Sequence, residues 1–358
     1  MKWKCTKCQT ENKDTYICLK CGFDESKNYA RYATIAVLQE KDKSDFRKMI
    51  FKGDNVLMAC PDMETELLQY NFGKDIYIDM TSSKGDNILM ACLDPDLVFG
   101  KNMSKSKIKS IQIYNTLSEV NKTAWDVSAH KDGSVLAWVI EDKAGWKHLK
   151  LAADGDIIAN KNCSELFQFY SNLECINGFQ YLNTKNVINM ESMFMCCSSL
   201  LKLDLSGFDT GNVVAMSNMF FGCSSLQELK LRSFDTKNVV DMGAMFAYCS
   251  NLQKLDLSSF DTRKVKSMRE MFGVCSNLRE LDLSSFDTRN VMDMEGMFYE
   301  CNNLQEFQDL NNFDIENVKY PKKLKYKSKI DKKKLFEILK EQKKVYLLDE
   351  LYASIRSK

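Results

Sequence analysis

The apolar residues in the second half of the chain return at a fixed interval. Phe208, Phe234, Phe260 and Phe286, each followed by Asp-Thr, stand 26 residues apart. In step with them run Met-x-x-Met-Phe groups ending at Phe194, Phe220, Phe246, Phe272 and Phe298, and the cysteines Cys197, Cys223, Cys249, Cys275 and Cys301. The unit reads FDTxNVxxMxxMFxxCxxLxxLDLSS. Five copies in register, an imperfect copy before them (Leu166-Phe167 to Leu173) and a one-residue insertion after them (Phe307 to Phe313) predict stacked coils with atypical caps.

Within a coil, Leu-x-x-Leu-Asp-Leu, as in Leu252 to Leu257, ends on apolar and polar alternation. It predicts a short strand paired with the coils above and below in a parallel sheet. Met-x-x-Met-Phe-x-x-Cys has apolar spacings of three and four, which predicts a helical turn or 3₁₀ segment packed across that sheet. Together these give an α/β-type repeat solenoid. The cysteine column reads as a ladder of small buried groups rather than a second metal or redox site, because each thiol has the same aromatic and Leu neighbours. Asn186, Asn212, Asn238, Asn290 and Asn317 recur at one turn, where a side-chain amide satisfies backbone groups of neighbouring coils; Lys264 breaks the column. Asp209, Asp235, Asp261 and Asp287 are expected to cap the adjoining turn.

Upstream, Lys52-Gly-Asp-Asn-Val-Leu-Met-Ala-Cys60 returns as Lys84-Gly-Asp-Asn-Ile-Leu-Met-Ala-Cys92. Gly-Asp-Asn supplies a turn and the apolar run a buried strand. With Ile35 to Leu38, Ile76 to Asp79 and Ile108 to Tyr114, this predicts a small β-rich or α+β domain over residues 26–160, ahead of the repeats at 161–320. The turn Lys131-Asp-Gly133 is expected to join Val127-Ser-Ala to Val135-Leu-Ala-Trp138 as a hairpin.

Composition narrows the function. Fifty Lys and Arg balance 49 Asp and Glu, so the molecule as a whole has no pull toward nucleic acid or anionic lipid. Yet residues 321–358 hold thirteen Lys and Arg against five Asp and Glu, a net of +8 that leaves the other 320 residues at −7. Leu335, Ile338, Leu339, Leu348, Leu351 and Ile355 recur there at helical spacing, so a basic amphipathic cap is expected over the end of the repeats. Only two histidines, His130 and His148, are present, no Gly-x-Gly pair or Walker-type loop occurs, and no nucleophile elbow surrounds a serine. A non-enzymatic protein is expected. The longest charge-free run, Thr210 to Gln227, is too rich in Asn and Ser for a transmembrane segment. Met1-Lys-Trp-Lys-Cys-Thr-Lys-Cys lacks the apolar stretch of a secretory signal, so a reducing cytoplasm is expected.

Cys5-x2-Cys8 and Cys18-x2-Cys21 are two thiolate knuckles close enough to close one tetrahedral shell around a single structural zinc ion, Zn2+, in a ribbon over residues 1–25. Trp3-x-Cys5-x2-Cys8-x3-Asn12 followed by Cys18-x2-Cys21 also resembles the Ran-binding-protein type zinc finger, with Asn12 to Cys18 one residue shorter. Members of that family bind single-stranded RNA or ubiquitin, the RNA binders through a Trp and Arg side chains. This finger has no Arg.

The repeats resemble the BspA-like leucine-rich repeat family, whose members carry FDTxNVxxMxxMFxxCxxLxxLDLS units in tandem. The likeness extends upstream through Lys107-Ile-Lys-Ser-Ile-Gln-Ile, Ala124-Trp-Asp-Val-Ser, Asp132-Gly-Ser-Val-Leu-Ala-Trp138 and Asn162-Cys-Ser-Glu-Leu-Phe167, so it covers roughly residues 98–320. It implies a leucine-rich-repeat-like binding surface, in a family of often surface-exposed bacterial proteins that includes adhesins.

On such a frame the side chains that differ from coil to coil carry recognition. They are Lys202 and Asp204, Glu228 and Lys230, Lys254 and Asp256, Glu280 and Asp282, then Glu306 and Asp309. This increasingly acidic stripe is expected to bind a protein partner, with the zinc module as a second contact. The alternatives are a cell-surface adhesin-like protein and a nucleic-acid binder acting through the finger and the basic C-terminal segment.

Overall fold

The computed structural model describes residues 86–90 and 97–304 in full and the backbone of 2–4, 11–13 and 306–308. Met1–Tyr77 and Ile78–Lys358 form two compact units. In the first, β1 (Lys2–Lys4) and β2 (Glu11–Lys13) pair antiparallel, with Trp3 opposite Asn12. The expected strands at 35–38 and 76–79, the first Lys-Gly-Asp-Asn copy and the basic cap at 321–358 lie outside the described residues.

The second unit begins with a five-stranded sheet. β3 (Ile108–Tyr114) is the strand expected from its alternation, and it sends Ile111 and Ile113 into the core. β4 (Trp125–Asp126), β5 (Val135–Glu141) and β6 (Lys147–Ala153) follow, and the order is β4-β5-β6-β3 with β8 (Cys175–Asn177) at the far edge. β4, β5 and β6 pair antiparallel, whereas β3 runs parallel to both β6 and β8. A hairpin spans the Lys131–Gly133 turn, but its first strand is Trp125–Asp126 rather than the expected Val127-Ser-Ala, with Asp126 opposite Leu136. Asp126 closes that turn by accepting the N–H groups of Ser128 and Gly133. Of the second Lys-Gly-Asp-Asn copy, Ile88 bridges Ile158 and Leu89 bridges Ser128, so it pins two segments without forming a strand of its own. Gly178 leaves β8 at φ 89°, and a Cβ there would stand 2.2 Å from the Ile113 carbonyl oxygen, so only glycine fits.

β7 (Ile157–Ile158) pairs in parallel with β9 (Leu182–Asn183), and from there the chain winds in 26-residue coils. Parallel bridges run Asn162, Asn189, Ala215, Asp241, Ser267, Asp293. The coils carry β10 (Lys202–Asp204), β11 (Glu228–Lys230), β12 (Glu280–Asp282) and β13 (Glu306–Gln308). β10 pairs with β11 and β12 with β13, while Leu252–Leu257 carries no strand.

The α/β-type repeat solenoid expected from the spacing is overturned. No α-helix occurs among the described residues, only the short 3₁₀ turns Lys105–Lys107 and Phe179–Tyr181, and the sheets are of mixed sense. The Met-x-x-Met-Phe-x-x-Cys segments are runs of turns. The physical reason lies in two left-handed residues per coil, Ser192 and Cys196, then Asn218 and Gly222, Ala244 and Tyr248, Glu270 and Val274, Gly296 and Glu300. Left-handed residues interrupt a right-handed helix, and here they turn alternate N–H groups along the stack. The N–H groups of Met190, Ser192, Phe194 and Cys196 donate to the carbonyls of Ala215, Ser217, Met219 and Phe221 in the next coil. Those of Met193, Met195 and Cys197 close turns within their own coil.

One apolar core runs from Leu89 to Leu304. Phe194, Phe220, Phe246, Phe272 and Phe298 stack nearly parallel, with centroids 5.6 to 5.7 Å apart. Phe234, Phe260 and Phe286 form a second stack at 6.3 and 6.5 Å. A Thr forms a buried bridge between successive coils: Thr236 Oγ1 donates to the Asp261 carbonyl and accepts the Asp261 N–H, and Thr210 and Thr262, with Thr184 at the same place in the preceding coil, repeat the arrangement. Asn212, Asn238 and Asn290 donate to carbonyls of the preceding coil, and where Lys264 breaks the column its Nζ reaches Asn238 Oδ1. Asp209, Asp235, Asp261 and Asp287 each accept the N–H two residues on, which is the expected turn cap.

Val274 holds φ 60° in a column where Gly222 already stands. A β-branched residue is strained there, by about 1–2 kcal/mol. Val274→Gly should therefore stabilise the chain by about 1 kcal/mol, after the entropy that glycine gains on unfolding is subtracted. Urea unfolding of both proteins measures it, and a less stable variant would contradict the assignment.

Candidate binding surface

β10, β11 and β12 each bury a central Leu and expose the residue on either side. Leu203, Leu229 and Leu281 enter the core, while Lys202, Asp204, Glu228, Lys230, Glu280 and Asp282 face solvent. Lys254 and Asp256 are exposed in the same way around Leu255, although no strand is formed there. Glu306 is placed by its backbone on β13, and Asp309 lies outside the described residues. The described members of the stripe, from Lys202 to Asp282, are therefore exposed on either side of a buried Leu.

Parallel in-register stacking puts these residues side by side, Lys202 opposite Glu228 and Asp204 opposite Lys230. Lys202 Nζ lies 3.0 Å from Glu228 Oε2, Lys230 Nζ 3.0 Å from Asp204 Oδ2, and Lys254 Nζ 3.2 Å from Glu280 Oε2. Arg232 Nε, which the sequence reading did not single out, lies 3.0 Å from Asp256 Oδ2. Its signal was present: where other coils read Asp-Leu-Ser (204–206, 256–258, 282–284), this one reads Lys230-Leu-Arg232. A coil that exchanges its Asp-Ser turn cap for two cations reaches the acids on both sides of it.

Hydrogen bonds from Ser206, then the Lys230 ammonium, bring the Asp204 carboxyl down to about 2. Lys202 holds Glu228 below its usual range, and Ser258 with Arg232 does the same for Asp256. Exposed pairs of this kind contribute about 0–1 kcal/mol each, so their main effect is to fix the pattern of charge rather than to hold the fold.

A second set of charges is paired locally at the Phe-Asp-Thr turns, where Lys237, Arg263 and Arg289 contact Asp235, Asp261 and Asp287. Farther along the turn runs, Arg269 is shared among Glu270, Asp293 and Glu295. Among the described residues no group of three His, Cys, Asp or Glu could hold a metal ion. Cys5, Cys8, Cys18 and Cys21 lie outside the described residues.

The cysteine column is a buried hydrogen-bonded ladder. Cys223 Sγ donates to the Phe194 carbonyl, Cys249 to Phe220, Cys275 to Phe246 and Cys301 to Phe272, at 2.9 to 3.2 Å. Burial pushes the Cys249 and Cys301 thiols up to about 12 and raises Cys223 and Cys275 well above the ordinary thiol range. Held protonated, these sulfurs are neither nucleophiles nor ligands.

The geometry is that of a repeat protein presenting a face of coil-to-coil charge pairs. Residues 161–255 and 222–335 match a family model described as a Mycoplasma protein of unknown function, DUF285, and the matched stretch covers the coils. Comparison with curated proteins and with solved structures finds no match. No helix among the described residues is long and apolar enough to cross a membrane.

Raised folded-state thiols make stability fall with alkali. Below about 9, the unfolded thiol value, folded and unfolded chains bind the same protons; between there and about 12 the folded chain holds more of them. The melting temperature should thus hold from neutral pH to about 9 and drop steeply toward pH 12, and Cys249→Ala should make the drop shallower. Equal slopes for the two proteins in a circular dichroism melting series would refute this.

Proposed function

We propose that the protein is an interaction scaffold whose exposed coil face binds a basic segment of a protein partner, the face itself working without chemistry. The observation that supports this most directly is a break in the alternation of charge. Along one column the coils read Lys202, Glu228, Lys254, Glu280, and then Glu306; along the next they read Asp204, Lys230, Asp256, and then Asp282. Every earlier step sets opposite charges side by side, whereas Glu280 has Glu306 as its register partner and Asp282 follows Asp256. Like charges opposite one another on paired strands cost stability. A cationic partner laid across the last coils removes that cost, and binding is strongest where the chain's own pairing stops. The resemblance of the repeats to BspA-like leucine-rich repeats points to the same use of the surface.

We further infer that Cys5, Cys8, Cys18 and Cys21 hold one structural zinc ion as an accessory module. Cys5 follows β1 directly and Cys8 stands in the connection to β2, so the first knuckle falls in sequence within the link of an antiparallel hairpin. Four thiolates leave the metal no open position, so its contribution is to folding.

An oligo-lysine peptide serves as the probe of the acidic end. Glu280→Lys with Asp282→Lys should weaken its binding about tenfold or more at low salt, while Lys202→Glu on the paired coils changes it far less. Calorimetric titration reads this, and unaltered affinity in the double variant would sink the placement. For the metal, elemental analysis of the full chain should find one zinc per molecule, lost in Cys8→Ser with Cys21→Ser; a metal-free wild-type protein purified without chelator would end that reading.

A further inference from the structure

The five-stranded sheet carries a constellation outside the binding stripe. Ser110 on β3 and His148 on β6 are register partners, and their neighbours Ile111 and Leu149 enter the core, so both lie on the opposite face of the sheet. Ser110 Oγ is 2.8 Å from His148 Nδ1, and His148 Nε2 is 3.3 Å from Asp142 Oδ2. Asp142 sits in the turn joining β5 to β6, where its other oxygen accepts the N–H groups of Ala144 and Trp146 at 2.9 and 3.0 Å. Those bonds, the Trp146 N–H above all and then His148, hold the carboxyl below its usual range. An ionised, fixed carboxylate favours the proton on Nε2, which leaves the Nδ1 lone pair aimed at the serine hydroxyl. The register of β3 shifts between Ile108 and Ser110, a bulge of the kind that re-aims a side chain.

We propose that Ser110, His148 and Asp142 form a nucleophile, general base and positioning carboxylate that take an acyl group from an ester. The Ser110 oxygen attacks the ester carbonyl carbon while Nδ1 takes the hydroxyl proton; the bond to the alcohol oxygen breaks, and the alcohol leaves with that proton. Water then attacks the acyl carbonyl, giving a proton to Nδ1 that returns to Ser110 as the acid departs. His148 and Asp142 are 29% and 37% exposed, so a substrate can reach them. The Trp146 ring in the turn has the Lys109 and Lys107 ammoniums 5.1 and 5.9 Å from its centre, and Lys109 is itself paired with Glu174 at 3.3 Å. That aromatic surface suits an aryl ester. The site is independent of the coil face and of the scaffold reading.

The test is p-nitrophenyl acetate with the full chain, read as nitrophenolate release and by peptide mapping of the acetyl group. Acetylation of Ser110 is expected, with turnover lowered about 100-fold or more in Ser110→Ala and His148→Gln. Asp142→Asn should lower the rate without abolishing labelling of Ser110, since it acts through the imidazole. Unchanged melting curves for Ser110→Ala separate lost chemistry from lost fold, and an aryl fluorophosphonate that labels Ser110 in the wild type supplies a readout free of lysine acylation. Acetyl groups found on lysines alone, or a Ser110→Ala rate equal to wild type, would overturn the proposal.

Discussion

The structure rests on where alternate N–H groups of the turn runs point. From Met190 to Cys196 every second N–H leaves its own coil for a carbonyl of the next, and the three coils that follow repeat the pattern. Each such bond contributes about 1 kcal/mol net, but leaving one unmade in a buried wall costs about 1–3 kcal/mol, so the ladder is closer to an obligation than a gain. It demands two left-handed residues per coil and a constant count of residues between rungs. Once that count is constant, all else follows by translation. Phe falls on Phe, the Cys thiol meets the same carbonyl each time, and the Thr hydroxyl finds the same peptide group.

Translation also creates the problem that the surface solves. A stack that brings each residue over its equivalent would set like charges in columns, which is unfavourable on paired strands. Alternating Lys and Glu from coil to coil turns the same geometry into cross-strand pairs, and the Lys230-Leu-Arg232 coil extends the solution in both directions. A surface neutralised in this way has little field of its own. The departure from alternation at Asp282, and after Glu280, whose carboxylate Lys254 already pairs, is then more informative than the total number of acids.

Much of this was legible in the sequence, and what was not has a physical cause. The period, the turn-capping Asp and Asn columns, β3 and the turn at Lys131–Gly133 follow from residue type and alternation alone, though not the strand that enters that turn. The turn runs were misread as helical because spacings of three and four arise equally from a helix and from successive three-residue turns. The left-handed positions that distinguish the two are filled by Ser, Asn, Ala, Glu and Val as well as Gly, so no residue type announces them. The charge pairs needed the register, since sign alternation across 26 residues means little until the coils lie side by side. Ser110, His148 and Asp142 come from two strands and a turn, and only the sheet order brings them together.

That sheet is also the start of the stack. β8 occupies in the first coil the position that β10 holds in the second, Cys175 standing for Lys202, and β8 and β10 are neighbours. β8 pairs in parallel with β3, and β3 with β6, whereas no strand pairing joins β8 to β10. Ser110 is the register partner of both Cys175 on β8 and His148 on β6. The same parallel register that forces charge to alternate along the coils sets a hydroxyl beside an imidazole where the coils give way to the sheet.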